Sequence, residues 1–294
     1  MAIIALLAAL VIAFFPAISS QTSESQGAAN VQGWLNIARQ KAIRNQQPFG
    51  LRFWVQSQNI GSLWVTDCQY VEQPDDFPGS TGSSITTGTT NVANDTIQFN
   101  NVDITGGFGG GSDPVQWPVQ VGDNLEGLGT GLMHRIVALD GNKQQALLAT
   151  ATPFPITNGS NYRILRQPRV VGEETMPLPT GVYVDLGMNN IKYGAAPYNL
   201  PVQLPLTPVY AVGFPPPGNP PTGAYVDVLF SPSGSVITPN LTSPYMAFWV
   251  RLPDTNAPAN EFAGTPSLIV VWSQTGLVGA YSPVPGNNPY VDVR

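Results

Sequence analysis

The sequence predicts an α+β protein in which a long N-terminal helix precedes a β-rich globular body that carries an inserted small β-barrel-like module. Two observations favour this fold class. Residues 1–47 combine an apolar run with a helical periodicity, and the rest of the chain is rich in turn residues. The chain has 30 Gly and 29 Pro residues, a composition typical of many short strands joined by tight turns.

The apolar run opens the chain, since residues 1–18 contain no charged side chain. The run is slightly shorter than the roughly 20 residues that a membrane span requires. One interpretation is a secretory signal peptide, for which Ala17 and Ser19 supply small residues at a cleavage site. Signal peptides have a positively charged n-region, however, and the first basic residue here is Arg39. A second interpretation is a membrane helix whose beginning is missing.

The amphipathic stretch that follows predicts a soluble continuation of the helix to residue 47. Apolar residues recur there at the three- and four-residue spacings of one helical face. Pro48 ends the pattern because proline disfavours helical geometry in the residue before it. Gly27 and Gly33 weaken the helix. The residues predicted to pack the helix on a sheet are Val31, Trp34, Leu35, Ala38 and Ala42.

The apolar run from Ala2 to Ala13 resembles the interior of the N-terminal helix of type IV pilins and type II secretion pseudopilins. In that family a basic leader, a peptidase site and a Thr-Leu-x-Glu signature precede this segment. None of these three features is present in this sequence. The resemblance therefore implies that the chain starts part-way into the helix. It also implies that the following side chains pack in a membrane or filament: Ile3, Ile4, Leu6, Leu7, Leu10, Val11, Phe14 and Phe15.

The segment 35–44, followed by the alternating segment 49–55, is similar to the H-type minor pseudopilins of type II secretion systems. Four later segments also resemble the strands of that family, namely 178–186, 227–236, 245–251 and 267–276. Two of them contain tight turns, at Ser231–Gly234 and at Thr275–Gly276. The order of these segments carries the resemblance.

The resemblance implies a structural subunit of a pilus-like or pseudopilus filament. Such a subunit is anchored in the inner membrane by a single helix, with its β body in the periplasm or displayed on the filament. Its expected partners are other pilin-like subunits, the membrane and a secreted cargo. Neither an enzymatic activity nor a cofactor is implied.

The pattern along the chain divides it into four parts. These are the helix at 1–47, the first strands of the β body at 48–94, the inserted module at 95–167 and the remainder of the body at 168–294. Residues 73–94 are predicted to be loop-like. Strands of the module are predicted at 96–99, 119–121, 132–139, 145–150 and 162–165, with a hairpin turn at Asp140-Gly141-Asn142.

Catalytic and metal-binding patterns are weak in this sequence. His134 is the only histidine and lies in an apolar run without a nucleophile elbow. The glycine-rich segment 106–111 lacks the Gly-Lys-Ser/Thr ending of a phosphate-binding loop. The acidic pairs at 75–76 and 173–174 are predicted to be solvated turns, with calcium binding as the alternative. Cys68 is the single cysteine, so an intrachain disulfide is excluded.

The net charge of −6 argues against nucleic-acid binding because phosphate would be repelled. Four of the twelve basic residues lie within fourteen positions, at 39, 41, 44 and 52. They indicate either a solvated helix face or a patch for carboxylates or lipid headgroups. An alternative function is an exported surface- or glycan-binding β protein with a cleaved signal sequence. Its aromatic platform would be drawn from Trp54, Trp64, Trp117, Trp249 and Trp272.

Overall fold

The computed structural model describes residues 2–57, 63–78, 84–89, 95–107, 116–127, 131–149, 162–172, 174–186, 191–192, 197–198, 207–209, 223–238, 243–252, 265–284, 288, 290 and 293. Among these residues the protein is mostly β-sheet with one helix, an α+β arrangement. The helix is α1 (Ala2–Asn45), and its side chains are described from residue 21 onward.

The strands in chain order are β1 (Phe49–Ser57), β2 (Trp64–Glu72), β3 (Phe77–Pro78), β4 (Ser84–Thr89), β5 (Asp95–Asn100), β6 (Asn124–Gly127), β7 (Met133–Asp140), β8 (Gln145–Leu148), β9 (Tyr162–Leu165), β10 (Arg169–Val170), β11 (Met176–Pro177), β12 (Tyr183–Asp185), β13 (Ile191–Lys192), β14 (Pro197–Tyr198), β15 (Thr207–Val209), β16 (Gly223–Phe230), β17 (Tyr245–Arg251), β18 (Ser267–Trp272) and β19 (Val278–Tyr281).

The chain forms two compact units. The first comprises Met1–Glu72, Val170–Thr207 and Ala224–Arg294, and the second comprises Gln73–Arg169 and Pro208–Gly223. Each unit has its own cluster of buried apolar side chains.

The first unit is built on an antiparallel sheet with the strand order β16-β1-β2-β12-β17-β18-β19. Alternation along β1 directs Leu51 and Phe53 into the core shared with α1. Their neighbour Arg52 makes its contacts on the opposite face, with Asp227 and Tyr225. The opposite face also has a smaller apolar cluster around Trp249.

The second unit is one sheet with the strand order β3-β9-β6-β7-β8-β5-β4. Its core contains residues from β5, β6, β7 and β9, including Phe99, Leu125, Ile136 and Ile164. The order runs from β3 to β4 without closure. The expected barrel-like form is therefore not found in the described strands of this unit.

Two details of the sequence prediction are wrong in the second unit. Residues 73–94 were expected to be loop-like, yet 77–78 form β3, which pairs with β9, and 84–89 form β4, which pairs with β5. Residues 79–83 and 90–94 lie outside the described residues. The second compact unit begins at Gln73. No strand covers 119–121, because the chain turns there toward β6.

The strands expected at 132–139 and 162–165 correspond to β7 and β9, and the turn after Asp140 joins β7 to β8. These segments alternate clearly between buried and less buried side chains. Local periodicity was therefore sufficient to locate them.

Candidate functional site

The candidate functional site is the face that α1 presents to the sheet of the first unit. Its buried residues follow one another at spacings of three and four, which places them on one side of the helix. Of the predicted packing residues, Trp34 is partly buried against the core and the other four are fully buried. The buried residues of the helix, which form its buried stripe, are Glu24, Gly27, Ala28, Val31, Leu35, Ala38 and Ala42.

The stripe packs against side chains from three parts of the sheet, including Leu51 on β1, Phe248 on β17 and Ile269 on β18. At Gly27, beside Ala28, the helix comes close to the segment before β12 and to Val250 on β17. At Gly27, a methyl group would lie 2.7 Å from Cγ1 of Val182. Gly27 is thus a close-approach position, which the sequence had suggested only as a weak point of the helix.

The side chains predicted to pack in a membrane or filament are Ile3, Ile4, Leu6, Leu7, Leu10, Val11, Phe14 and Phe15, and they lie outside the described residues. Within the described part of the chain, no helix combines the length and apolar character of a membrane span.

The four clustered basic residues do not form a common patch. Arg52 is buried and its guanidinium binds both carboxylate oxygens of Asp227 at 2.7 Å. Lys41 Nζ lies 4.5 Å from the ring centroid of Tyr70 and 4.9 Å from that of Phe49. Arg39 donates to the carbonyl oxygen of Gly234 at 3.3 Å, while Arg44 is exposed. Arg39, Lys41 and Arg52 therefore make stabilising contacts within the first unit.

The two tight turns that carry part of the family resemblance contact each other beneath the helix. A methyl group at Gly276 would lie 1.8 Å from the carbonyl oxygen of Gly234 and 3.1 Å from Nε of Arg39. Both glycines have positive φ, 85° at Gly234 and 62° at Gly276. Glycine is favoured at both positions for its conformational freedom and for its lack of a side chain.

Glu24 is a polar member of an otherwise apolar stripe and was not singled out from the sequence. It is 1% exposed. Its Oε1 accepts from the backbone N–H of Leu252 at 3.1 Å, and its Oε2 accepts from that of Thr265 at 3.2 Å. Burial raises the pKa of the Glu24 carboxyl, and the two hydrogen bonds act in the opposite direction.

Two buried ion pairs occupy the face of the sheet opposite α1. Arg52 pairs with Asp227, and its guanidinium carbon lies 3.7 Å from the ring centroid of Tyr225. Arg251 pairs with Asp185 at 2.6 Å, and both side chains are almost fully buried. Burial alone would lower the pKa of Arg52, but the Asp227 carboxylate reverses the direction and raises it. Each pair joins strands that are far apart in sequence, so no local signal predicted them.

The second unit is held at its ends by polar contacts. Gln73 donates to the carbonyl oxygen of Arg166 at 3.2 Å, and Arg163 pairs with Glu126 and Asp76. The fully buried Asp123 pairs with Arg169 at 2.6 Å. Its carboxyl pKa is raised by burial, against the lowering effect of Arg169. The start and the end of residues 73–169 therefore lie side by side.

His134, Cys68 and the acidic side chains are the described residues that bear on metal binding or catalysis. No group of three or more His, Cys, Asp or Glu side chains there is placed to hold a metal ion. His134 is buried in β7 opposite Leu125. Burial raises the pKa of the Cys68 thiol, which opposes formation of the reactive thiolate. Of the glycine-rich segment and the two acidic pairs, residues 108–111 and 173 lie outside the described residues.

The tryptophans proposed for an aromatic platform are used within the units. Trp117 and Trp249 are buried in separate apolar clusters. Trp54 Nε1 donates to Gln69 at 2.7 Å, and Trp64 stacks on Tyr183 with ring centroids 4.5 Å apart. Trp272 is partly buried.

No protein-family model, curated protein or solved structure matches this chain.

Proposed function

We propose that this chain is a structural subunit of a type IV pilus-like or type II secretion pseudopilus filament, closest to the H-type minor pseudopilins. In this proposal the apolar start of α1 lies in the inner membrane before assembly and packs among the helices of other subunits in the filament. The β body faces the periplasm or the filament surface and contacts neighbouring subunits or secreted cargo. The role is structural and needs neither a catalytic residue nor a cofactor.

The docking of α1 is the observation that carries the proposal. The buried residues of the helix lie between positions 24 and 42, and their apolar side chains pack on the sheet. The apolar run at residues 2–15 precedes this stripe in sequence, and it supplies the second apolar surface that the proposal requires. Its burial among neighbouring helices would contribute roughly 25 cal/mol per Å² of apolar surface.

The junction of the two turns supports the same family. Ser231–Gly234 and Thr275–Gly276 lie in the segments that resemble H-type pseudopilins. Their mutual contact, and the contact of Gly234 with Arg39 on α1, give a physical reason for that combination of residues. A chance likeness of separate turns would not require them to meet.

Membrane fractionation of the full chain, with a chain that starts at Gln21 as the matched control, tests the proposal. The full chain is expected to stay in the membrane fraction after an alkaline carbonate wash, and the shortened chain is expected to be released. Both should show the same thermal unfolding of the β body, since the buried stripe begins at Glu24. Release of the full chain would contradict the anchoring role.

Two further measurements separate the filament from its rival. A photo-crosslinking residue at Leu7 should give adducts with other pilin-like subunits in membranes of the source cells. Mass spectrometry of the mature protein should show that residues 2–15 are retained. A mature chain that begins near residue 20 and is found free outside the cell would favour the exported surface- or glycan-binding protein instead.

A further inference from the structure

Glu24 joins the helix to two strand ends at once. Leu252 directly follows β17, and Thr265 lies two residues before β18, so the two amide donors flank the connection between neighbouring strands. The donors are 228 and 241 residues away from Glu24 in sequence. One carboxylate thus bridges three elements of the first unit.

The protonation state of Glu24 decides how many of these hydrogen bonds can form. An ionised carboxylate accepts on both oxygens, whereas a protonated carboxyl has one oxygen that carries the proton and accepts poorly. Both partners are backbone N–H groups and can only donate. Protonation therefore weakens the contact with either Leu252 or Thr265.

We propose that Glu24 is a proton-dependent latch, which fixes α1 to the ends of both β17 and β18 when ionised and to only one of them when protonated. The geometry carries this inference: both oxygens are engaged, both donors are backbone groups, and the carboxyl is shielded from water. The latch is a property of the first unit and does not depend on the proposed filament function.

Other charged groups on the packed elements are engaged elsewhere. On β17 and β12 these are Arg251 and Asp185, which pair with each other. The remaining charged residues of α1 are Arg39, Lys41 and Arg44, at least fifteen positions farther along the helix. Asp254 and Glu261, in the connection between β17 and β18, lie outside the described residues and are controlled for in the experiment.

The latch and the global stability respond to acid in opposite directions. Because the folded-state pKa of Glu24 is raised above 4.5, the folded protein binds this proton more tightly than the unfolded chain does. The contribution of Glu24 to stability is thus fully present below its unfolded pKa and is lost as the pH rises through its folded pKa. Acid therefore favours the fold at this site while it loosens one strand end from the helix.

The test is an NMR titration of the two amide groups in the full chain, held in detergent micelles. Arg251-Leu252 is the one Arg-Leu step of the sequence, so ¹³C-carbonyl arginine with ¹⁵N-leucine isolates the Leu252 amide. Labelling with ¹⁵N-threonine, read against Glu24→Gln, identifies Thr265. Both amide proton resonances are expected to shift with one common midpoint above pH 4.5. Glu24→Gln should abolish both titrations.

Control variants decide which carboxyl is responsible. Asp254→Asn and Glu261→Gln should leave the two titrations unchanged, and their loss in either variant would overturn the assignment to Glu24. Amides that do not titrate, or that titrate with unrelated midpoints, would also overturn it. If Glu24→Gln does not fold, ¹³C-glutamate labelling of the unsubstituted chain gives the Glu24 carboxyl midpoint, which must equal that of the amides.

Discussion

The two glycines on the docked half of α1 have opposite surroundings. A methyl group at Gly33 would meet no atom within 4 Å, whereas at Gly27 it would lie 2.7 Å from Val182. Alanine is favoured over glycine in a helix by about 1 kcal/mol. We expect Gly33→Ala to raise the free energy of unfolding by up to that amount and Gly27→Ala to lower it, as measured by urea denaturation. Equal stabilisation by both variants would contradict the close approach of helix and sheet.

The buried pair of Arg52 and Asp227 provides a second test at single residues. Asp227→Asn leaves a buried guanidinium without its counterion, and breaking such a pair typically costs about 3–5 kcal/mol. The double variant Arg52→Met with Asp227→Leu removes both charges and is expected to cost clearly less. Chemical denaturation of the three proteins gives the comparison. If the double variant is as unstable as Asp227→Asn, the unpaired guanidinium is not the cause of the lost stability.

Within the helix as an element, burial ranks neighbouring apolar residues. Leu35 is fully buried in the core, while Ile37 is 43% exposed two positions later. Leu35→Ala should cost about 2–5 kcal/mol, the usual range for a large buried side chain. Ile37→Ala should change stability by less than about 0.5 kcal/mol, as at most surface sites. Similar losses in thermal unfolding would mean that the helix is rotated relative to the described stripe.

Among the turns, Gly276 and Gly172 form a matched pair. Both have positive φ, but a methyl group at Gly172 would meet nothing within 4 Å, and one at Gly276 would lie 1.8 Å from a backbone oxygen. Gly172→Ala is therefore expected to cost about 1 kcal/mol for backbone strain alone. Gly276→Ala must also separate the two turns, so it should cost substantially more. Equal losses in the free energy of unfolding, measured by urea denaturation, would contradict the contact between the two turns.

The elements themselves were largely predictable because their signals are local. The alternation at 49–55 predicted β1, the segment 245–251 coincides with β17, and the proline at 48 lies just after the end of α1. The placement of β12 between β2 and β17, and of β16 beside β1, depends on pairings between distant segments. For the same reason Glu24 and the buried ion pairs, whose partners lie 66 to 241 residues away, had no local signal.

For the whole molecule, the boundary of the second unit can be tested by excision. Replacing 73–168 with a short Gly/Ser linker removes β3 through β9 together and leaves β10 intact. The two ends of this stretch are adjacent, so a short linker can join them. Replacing 95–167 instead leaves β3 and β4 without their partners β9 and β5. The first variant should remain resistant to limited proteolysis, and the second should be cut within 73–94. Equal resistance would argue against the boundary at residue 73.

Some strands that α1 contacts are synthesised much later than the helix itself. Gln32 donates to the carbonyl oxygen of Val278, which lies 246 residues later in the chain. At ordinary translation rates that interval lasts on the order of 10–50 s. The helix is followed at once by β1, but it leaves the ribosome long before β17, β18 and β19 exist. Residues 73–169, in contrast, are synthesised as one continuous stretch. Nascent chains stalled near residue 260, after the whole second unit has been synthesised, should protect 73–169 from protease and leave accessible the part of α1 that packs on β18 and β19.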